Sequence, residues 1–143
     1  MADLWPEAGV GEMISEGAVL SFEAAAAITK GKAVYFSADM KVSQCDTSVR
    51  DAIGIALKTV AAGEFCPICV QGAVKVTAGG AITRGKAVCV ESGAGADGDV
   101  VELTDRTVNE GGTATYTIPY AQKLGIALQA FTSGDTGLIL VER

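Results

Sequence analysis

The sequence predicts an all-β fold: a compact barrel or sandwich domain built from two pseudo-repeats, with an extended N-terminal arm. Three observations carry this reading. ITKGKAV at 28–34 returns as ITRGKAV at 82–88, 54 positions on and differing only at Lys30/Arg84. IGIALKTVAAGEFCPICV at 53–70 matches LGIALQAFTSGDTGLILV at 124–141, 71 positions on. Both copies alternate short apolar runs with glycine-centred turns, the pattern of strands rather than helices.

The first segment, residues 1–16 (MADLWPEAGVGEMISE), lacks a period and holds the only tryptophan. It reads as an arm ending near Gly17. Leu4, Trp5 and Pro6 form its apolar anchor, with Met13 and Ile14 as further candidate contact residues. Tryptophan is common at interface hot spots because one side chain buries a large area at little entropic cost. As a binding element the segment orders on contact with its partner; the other reading is a frayed terminus with Trp5 folded onto its own domain.

Residues 17–143 form the single β domain, with pseudo-repeat one at 17–71 and pseudo-repeat two at 72–143. GAV at 17–19 returns at 72–74, one residue out of the 54-residue register. Glu23–Ala27 has high helix propensity. Its counterpart Thr77–Ala81 does not, so the repeat overrides propensity and both read as bends. Val34-Tyr35-Phe36, Val74–Thr77 and Leu138–Val141 read as strands. Gly31, Gly85, Gly63 and Gly134 occupy matched turns that need positive φ.

The two offsets differ by 17 residues, which sizes an insertion in the second copy between Val88 and Leu124. It is placed at roughly 91–116. Its first part is a Gly/Ala-rich surface loop. Val100–Leu103 and Thr113–Ile118, joined across Asn109–Gly112, are expected to pair as a projecting hairpin.

Composition excludes several functions. The chain has 143 residues, 49% apolar and 20% charged, enough for one domain that buries roughly 70% of its unfolded surface. It has no histidine, so histidine-based acid–base catalysis, Ser-His-Asp or Cys-His pairs and His-ligated metals are out. The net charge is −6, of which −5 lies in residues 1–23, leaving the body near neutral. Without a basic run, neither nucleic acid nor an anionic membrane is an expected partner. No apolar stretch is long enough to span a bilayer, and the acidic start is not a signal peptide. Cys45, Cys66, Cys69 and Cys89 are expected as free thiols.

Gly80–Lys86 fits GxxxxGK, but Ala87 replaces the Ser/Thr that would hold magnesium and a strand follows instead of a helix. It reads as a turn. Cys66-Pro67-Ile68-Cys69 is a CxxC on a strand, where i and i+3 point to opposite faces. A zinc site drawing in Cys45 and Cys89 is conceivable, but small buried apolar side chains are the favoured reading. Glu91, Asp97 and Asp99 lack calcium-loop spacing and read as a solvated acidic loop. The expectation is a non-enzymatic protein with no cofactor, catalytic residue or metal ligand.

The order GAV, AxxAITxGKAV, IGIAL, AxxGE and a terminal apolar strand resembles the capsid cement (head decoration) proteins of tailed bacteriophages over residues 17–143. The resemblance rests on Ile28, Gly31, Val34, Gly54, Ala56 and Gly63 and their copies Ile82, Gly85, Val88, Gly125, Ala127 and Gly134. Similar hairpins occur in β-clip-like modules. The resemblance implies a structural virion protein, made in the host cytoplasm, that sits on the outer face of the capsid. Its implied partners are the major capsid protein and itself, most often as a trimer. Two other readings are a small-ligand or carbohydrate-binding β module with the 91–116 loop as its mouth, offering Tyr116 and Tyr120, and a cysteine-based metal or redox protein.

Overall fold

The computed structural model describes residues 7–46, 51–93, 95, 97–104 and 122–142. Among the described residues nine strands follow in order: β1 (Ala18–Ala24), β2 (Ala33–Ala38), β3 (Lys41–Gln44), β4 (Gly54–Ala56), β5 (Phe65–Thr77), β6 (Ala87–Val90), β7 (Val100–Glu102), β8 (Gly125–Ala127) and β9 (Thr136–Glu142). All belong to one sheet of order β1-β3-β2-β4-β5-β9-β8-β6-β7, and β1 also pairs with β5. That last pairing closes β1, β3, β2, β4 and β5 into a five-stranded barrel. The fold is all-β.

The repeat is visible bond by bond. Ile28 and Val60 form an isolated bridge, and so do Ile82 and Phe131, at the same 54- and 71-residue offsets. Gly31 N–H donates to Ala56 C=O at 2.8 Å, as Gly85 N–H does to Ala127 C=O. Thr29 N–H donates to the Gln44 side chain, and Thr83 N–H to that of Glu102. The parallel contact of β1 with β3 at Ala24/Val42 recurs as the bridge Ala78/Val100. Through that bridge a second ring closes: the C-terminal half of β5, then β9, β8, β6 and β7. β5 serves both rings, its first half ending copy one and its second half opening copy two. A bulge at Ala18/Val19 marks the junction.

The insertion differs from the expectation in one respect. Val42 and Val100 stand 58 positions apart, so four extra residues lie between β6 and β7 and the other thirteen between β7 and β8. Val100–Glu102 is therefore a barrel strand paired to β6. Its physical reason is burial: Val100 is 1% exposed, inside the core. Thr113–Ile118 lies outside the described residues.

Packing follows the duplication. Phe22, Ala24, Ile28, Val34, Val42, Ala56, Val60, Cys66 and Ile68 fill barrel one. The equivalents of all of these but Cys66, whose counterpart is Gly137, belong to the larger core, which also takes in Ala33, Cys45, Ala52, Ile55 and Cys69 from copy one. That larger core joins the copies into one unit. A polar tie adds to it: Ala33 N–H donates to Gly98 C=O at 2.9 Å, and Lys32 Nζ meets Asp99 at 2.6 Å and Asp97 at 3.2 Å. The four-residue loop extension of copy two thus reaches back onto copy one. Glu23–Ala27, despite its alanines, finishes a strand and bends at Ala25-Ala26.

Candidate functional site

The N-terminal segment enters the described structure at Glu7; Leu4, Trp5 and Pro6 lie outside the described residues. From Gly11 to Ser15 the chain runs antiparallel to β5. Gly11 N–H donates to Lys75 C=O at 2.7 Å, Lys75 N–H to Glu12 C=O at 3.1 Å and Ile14 N–H to Ala73 C=O at 3.0 Å. Ala73 N–H donates to Ser15 Oγ at 2.9 Å. Met13, half-buried, packs against the larger core and bridges to Val74. The structure therefore places Met13 and Ile14 at the root of the arm, held on β5. All of these bonds but that to Ser15 Oγ join main chain to main chain, which is why the segment carries no side-chain period.

Electrostatics reinforce this root. Lys75, only 4% exposed, donates from Nζ to Ala8 C=O at 3.0 Å. Glu12 accepts from Gly9 N–H at 2.7 Å and from Lys30 Nζ at 3.3 Å. The Gly9 N–H first, then Lys30, hold its carboxyl below the usual range. Gly31, at φ 88°, passes directly under Val10, so the arm root caps the turn of copy one while pairing with the strand of copy two. Gly85, Gly63 and Gly134 have φ of 81°, 86° and 81° and open space around them. These four turns have the backbone that only glycine adopts without strain.

The chemistry-like motifs are taken up by structure. Gly80–Lys86 contains a bridge at Ile82, a turn and the approach to β6. Cys66 and Cys69 face different cores, Cys66 inside barrel one and Cys69 in the larger cluster. Burial pushes the Cys69 thiol up to about 11, and burial with the nearby Asp46 and Asp51 charges pushes Cys45 up to about 12. Cys66 also shifts upward by burial. A thiol held protonated is a poor nucleophile and a poor metal ligand. Asp97 and Asp99 are committed to Lys32, whose burial alone would favour the neutral amine. Its hydrogen bonds to Asp99 and Asp97, with their charges, outweigh that and raise its pKa. Tyr116 and Tyr120, the aromatics of the ligand-binding alternative, lie outside the described residues.

One feature escaped the sequence reading. Of the six exposed large apolar side chains among the described residues, five (Val19, Leu20, Phe36, Met40 and Phe65) belong to copy one, and only Leu128 to copy two. Their counterparts in copy two are small, polar or covered: Phe36 corresponds to the buried Val90 and Phe65 to Thr136. The signal was present in these mismatches between the repeats, and it needed the strand alignment to be seen. Phe36 stacks edge-on against Phe22 at 5.0 Å, so this surface is rooted in the barrel.

Two fused five-stranded barrels, with thiols and acids absorbed into the framework and, among the described residues, five of six exposed large apolar side chains on copy one, define a duplicated β module of structural type. The comparisons place it. A family model described as phage cement protein matches residues 14–143, and the chain belongs to that family. It is a structural protein of the phage virion, associated with the capsid. The fold is similar to the N base of the head fiber gp8.5 of bacteriophage phi29. The TM-score is 0.56 at 16% identity, over 87% of this chain and 93% of that one. No curated protein matches the sequence.

Proposed function

We propose that this chain binds the outer face of the assembled phage head and stabilises it, as a non-enzymatic cement protein contacting the major capsid protein. The observation that carries this reading is the family match over nearly the whole chain. The asymmetry of the two barrels supports it, because a protein that works through a surface needs one face unlike the rest. The −5 charge that the sequence concentrates in the first 23 residues favours a basic patch on the shell.

Within this reading Leu4, Trp5 and Pro6 make the contact, with Trp5 as anchor, while Met13 and Ile14 hold the arm to the body. The protein acts as a homo-oligomer, a trimer being the arrangement in which three arms reach three neighbouring capsid subunits.

The test is co-sedimentation with heads that lack this protein. The full chain is expected to pellet with heads to saturation. Deletion of residues 1–6 is expected to abolish binding and leave the unfolding transition unchanged. Deletion of 1–16 does not separate the two roles, because it also removes the bonds of Gly11 and Ile14 to β5. Undiminished binding by the shorter deletion would refute the role of the arm.

A further inference from the structure

The two halves of this molecule share a fold and treat the same strand edge differently. In copy two, residues 11–15 cover the outer edge of β5, and Ala73, Val74 and Lys75 are 7%, 0% and 4% exposed. The equivalent residues of copy one, 54 positions earlier, are Val19, Leu20 and Ser21. No described segment pairs with their outer edge, and Val19 and Leu20 are 44% and 51% exposed. By equivalence with Ala73 and Lys75, Val19 and Ser21 turn their N–H and C=O groups outward. The register agrees: Ser21 faces Pro67 on β5, which has no N–H to give it.

The open stretch has a built border. β3 runs parallel to β1 from the pair Glu23/Lys41, so the hairpin tip Asp39-Met40 stands beside the uncovered residues. Met40 is a non-glycine residue at φ 60° and is 67% exposed. A bulky apolar side chain held in a strained turn at a sheet edge points to a contact role. Unprotected edges invite strand pairing, and proteins usually block them with charge or bulges. Here the edge is apolar.

We propose that the outer edge of β1 at Val19–Ser21 receives an extended segment of the capsid protein by strand addition, with Leu20 and Met40 as its apolar flanks. The occupant is an extended backbone because that is what the twin edge of the same molecule holds. It comes from the shell and not from a second copy, because the chain's own described segment of this type, residues 11–15, is already consumed on β5. This inference rests on the capsid reading above and goes further, assigning the shell a place on the body and not only on the arm.

Backbone amide exchange tests it, measured on the full chain free at two protein concentrations and bound to heads that lack it. The peptide spanning Val19–Ser21 is expected to exchange rapidly when free and at least tenfold more slowly on heads, while Ala73–Lys75 is protected in both states. Equal exchange free and head-bound would overturn the proposal. Protection that grows with concentration in the absence of heads would also overturn it, giving the edge to a second copy. Failure of the full chain to bind heads would instead overturn the capsid reading itself, and this inference with it. Ser21→Pro removes one outward N–H and leaves the β5 ladder intact. It is expected to weaken head binding at least tenfold with the unfolding midpoint unchanged, and unaltered affinity would contradict the proposal. The exchange measurement on the unaltered chain decides the matter however that variant folds.

Discussion

Phe131 occupies the space that Gly137 leaves open: a Cβ on Gly137 would stand 2.5 Å from the nearest atoms of the ring. In copy one the same two positions hold Val60 and Cys66, a smaller residue and a larger one. The two barrels thus fill one interior shape by exchanging volume between neighbours, as close-packed cores require. Gly137→Cys is expected to destabilise by about 2–3 kcal/mol through overpacking, and Phe131→Val by a similar amount through the cavity it leaves. The double variant recreates the copy-one pair and is expected to recover most of the loss. Chemical denaturation of all three variants measures the coupling.

Met13 is the next residue to separate fold from function. Its side chain packs on the larger core beside Val74, so Met13→Ala is expected to cost about 1–2 kcal/mol of unfolding free energy, less than a fully buried site. Head binding at a temperature well below the transition is expected to be unchanged. A variant that bound poorly while keeping full stability would move Met13 from the arm's root to its contact surface.

The duplication was legible in the sequence because it rests on side chains: Ile28/Ile82, Val34/Val88 and Ala56/Ala127 recur in pattern and in place. Three features were not. The pairing of residues 11–15 with β5 rests, apart from Ser15 Oγ, on main-chain groups, which leave no trace in residue type. The tie between Lys32 and Asp97 or Asp99 joins residues 65 and 67 positions apart, and only the closed sheet brings them together. The strand at Val100–Leu103 could be read from its residues, but its place could not: it follows a glycine-rich loop, and only its pairing with β6 and its alignment with β3 identify it as a barrel strand. Of the candidate site, the arm and turns could be read from composition, whereas the exposed apolar side chains of copy one required knowing which side of each strand is covered.

The glycine turns offer a paired comparison within one molecule. Gly31→Ala and Gly85→Ala both place a side chain at positive φ, at about 1 kcal/mol each. Gly31 additionally lies under Val10, whereas Gly85 faces open space. Gly31→Ala is therefore expected to be the more damaging, by about 1–2 kcal/mol beyond Gly85→Ala. Thermal unfolding of the two variants side by side checks the order.

Alkaline pH is expected to destabilise the fold through its thiols. The native state holds the Cys45 proton until about pH 12 and that of Cys69 until about 11, against 9.0 for an ordinary thiol. Stability from these groups is fully present below pH 9 and falls as pH rises toward the native values, by up to about 1.4 kcal/mol per pH unit for each thiol. Cys45→Ala is expected to flatten this slope. Denaturation midpoints between pH 8 and 11 in the two proteins, taken under reducing conditions, provide the check.

The most direct test of the central claim is the heat stability of phage heads, followed by DNA release on warming, with and without saturating purified protein. Cementing predicts that heads lacking the protein release their DNA at a lower temperature and that adding it back restores the higher one, in proportion to the copies bound. Identical release curves for bare and saturated heads would contradict the account.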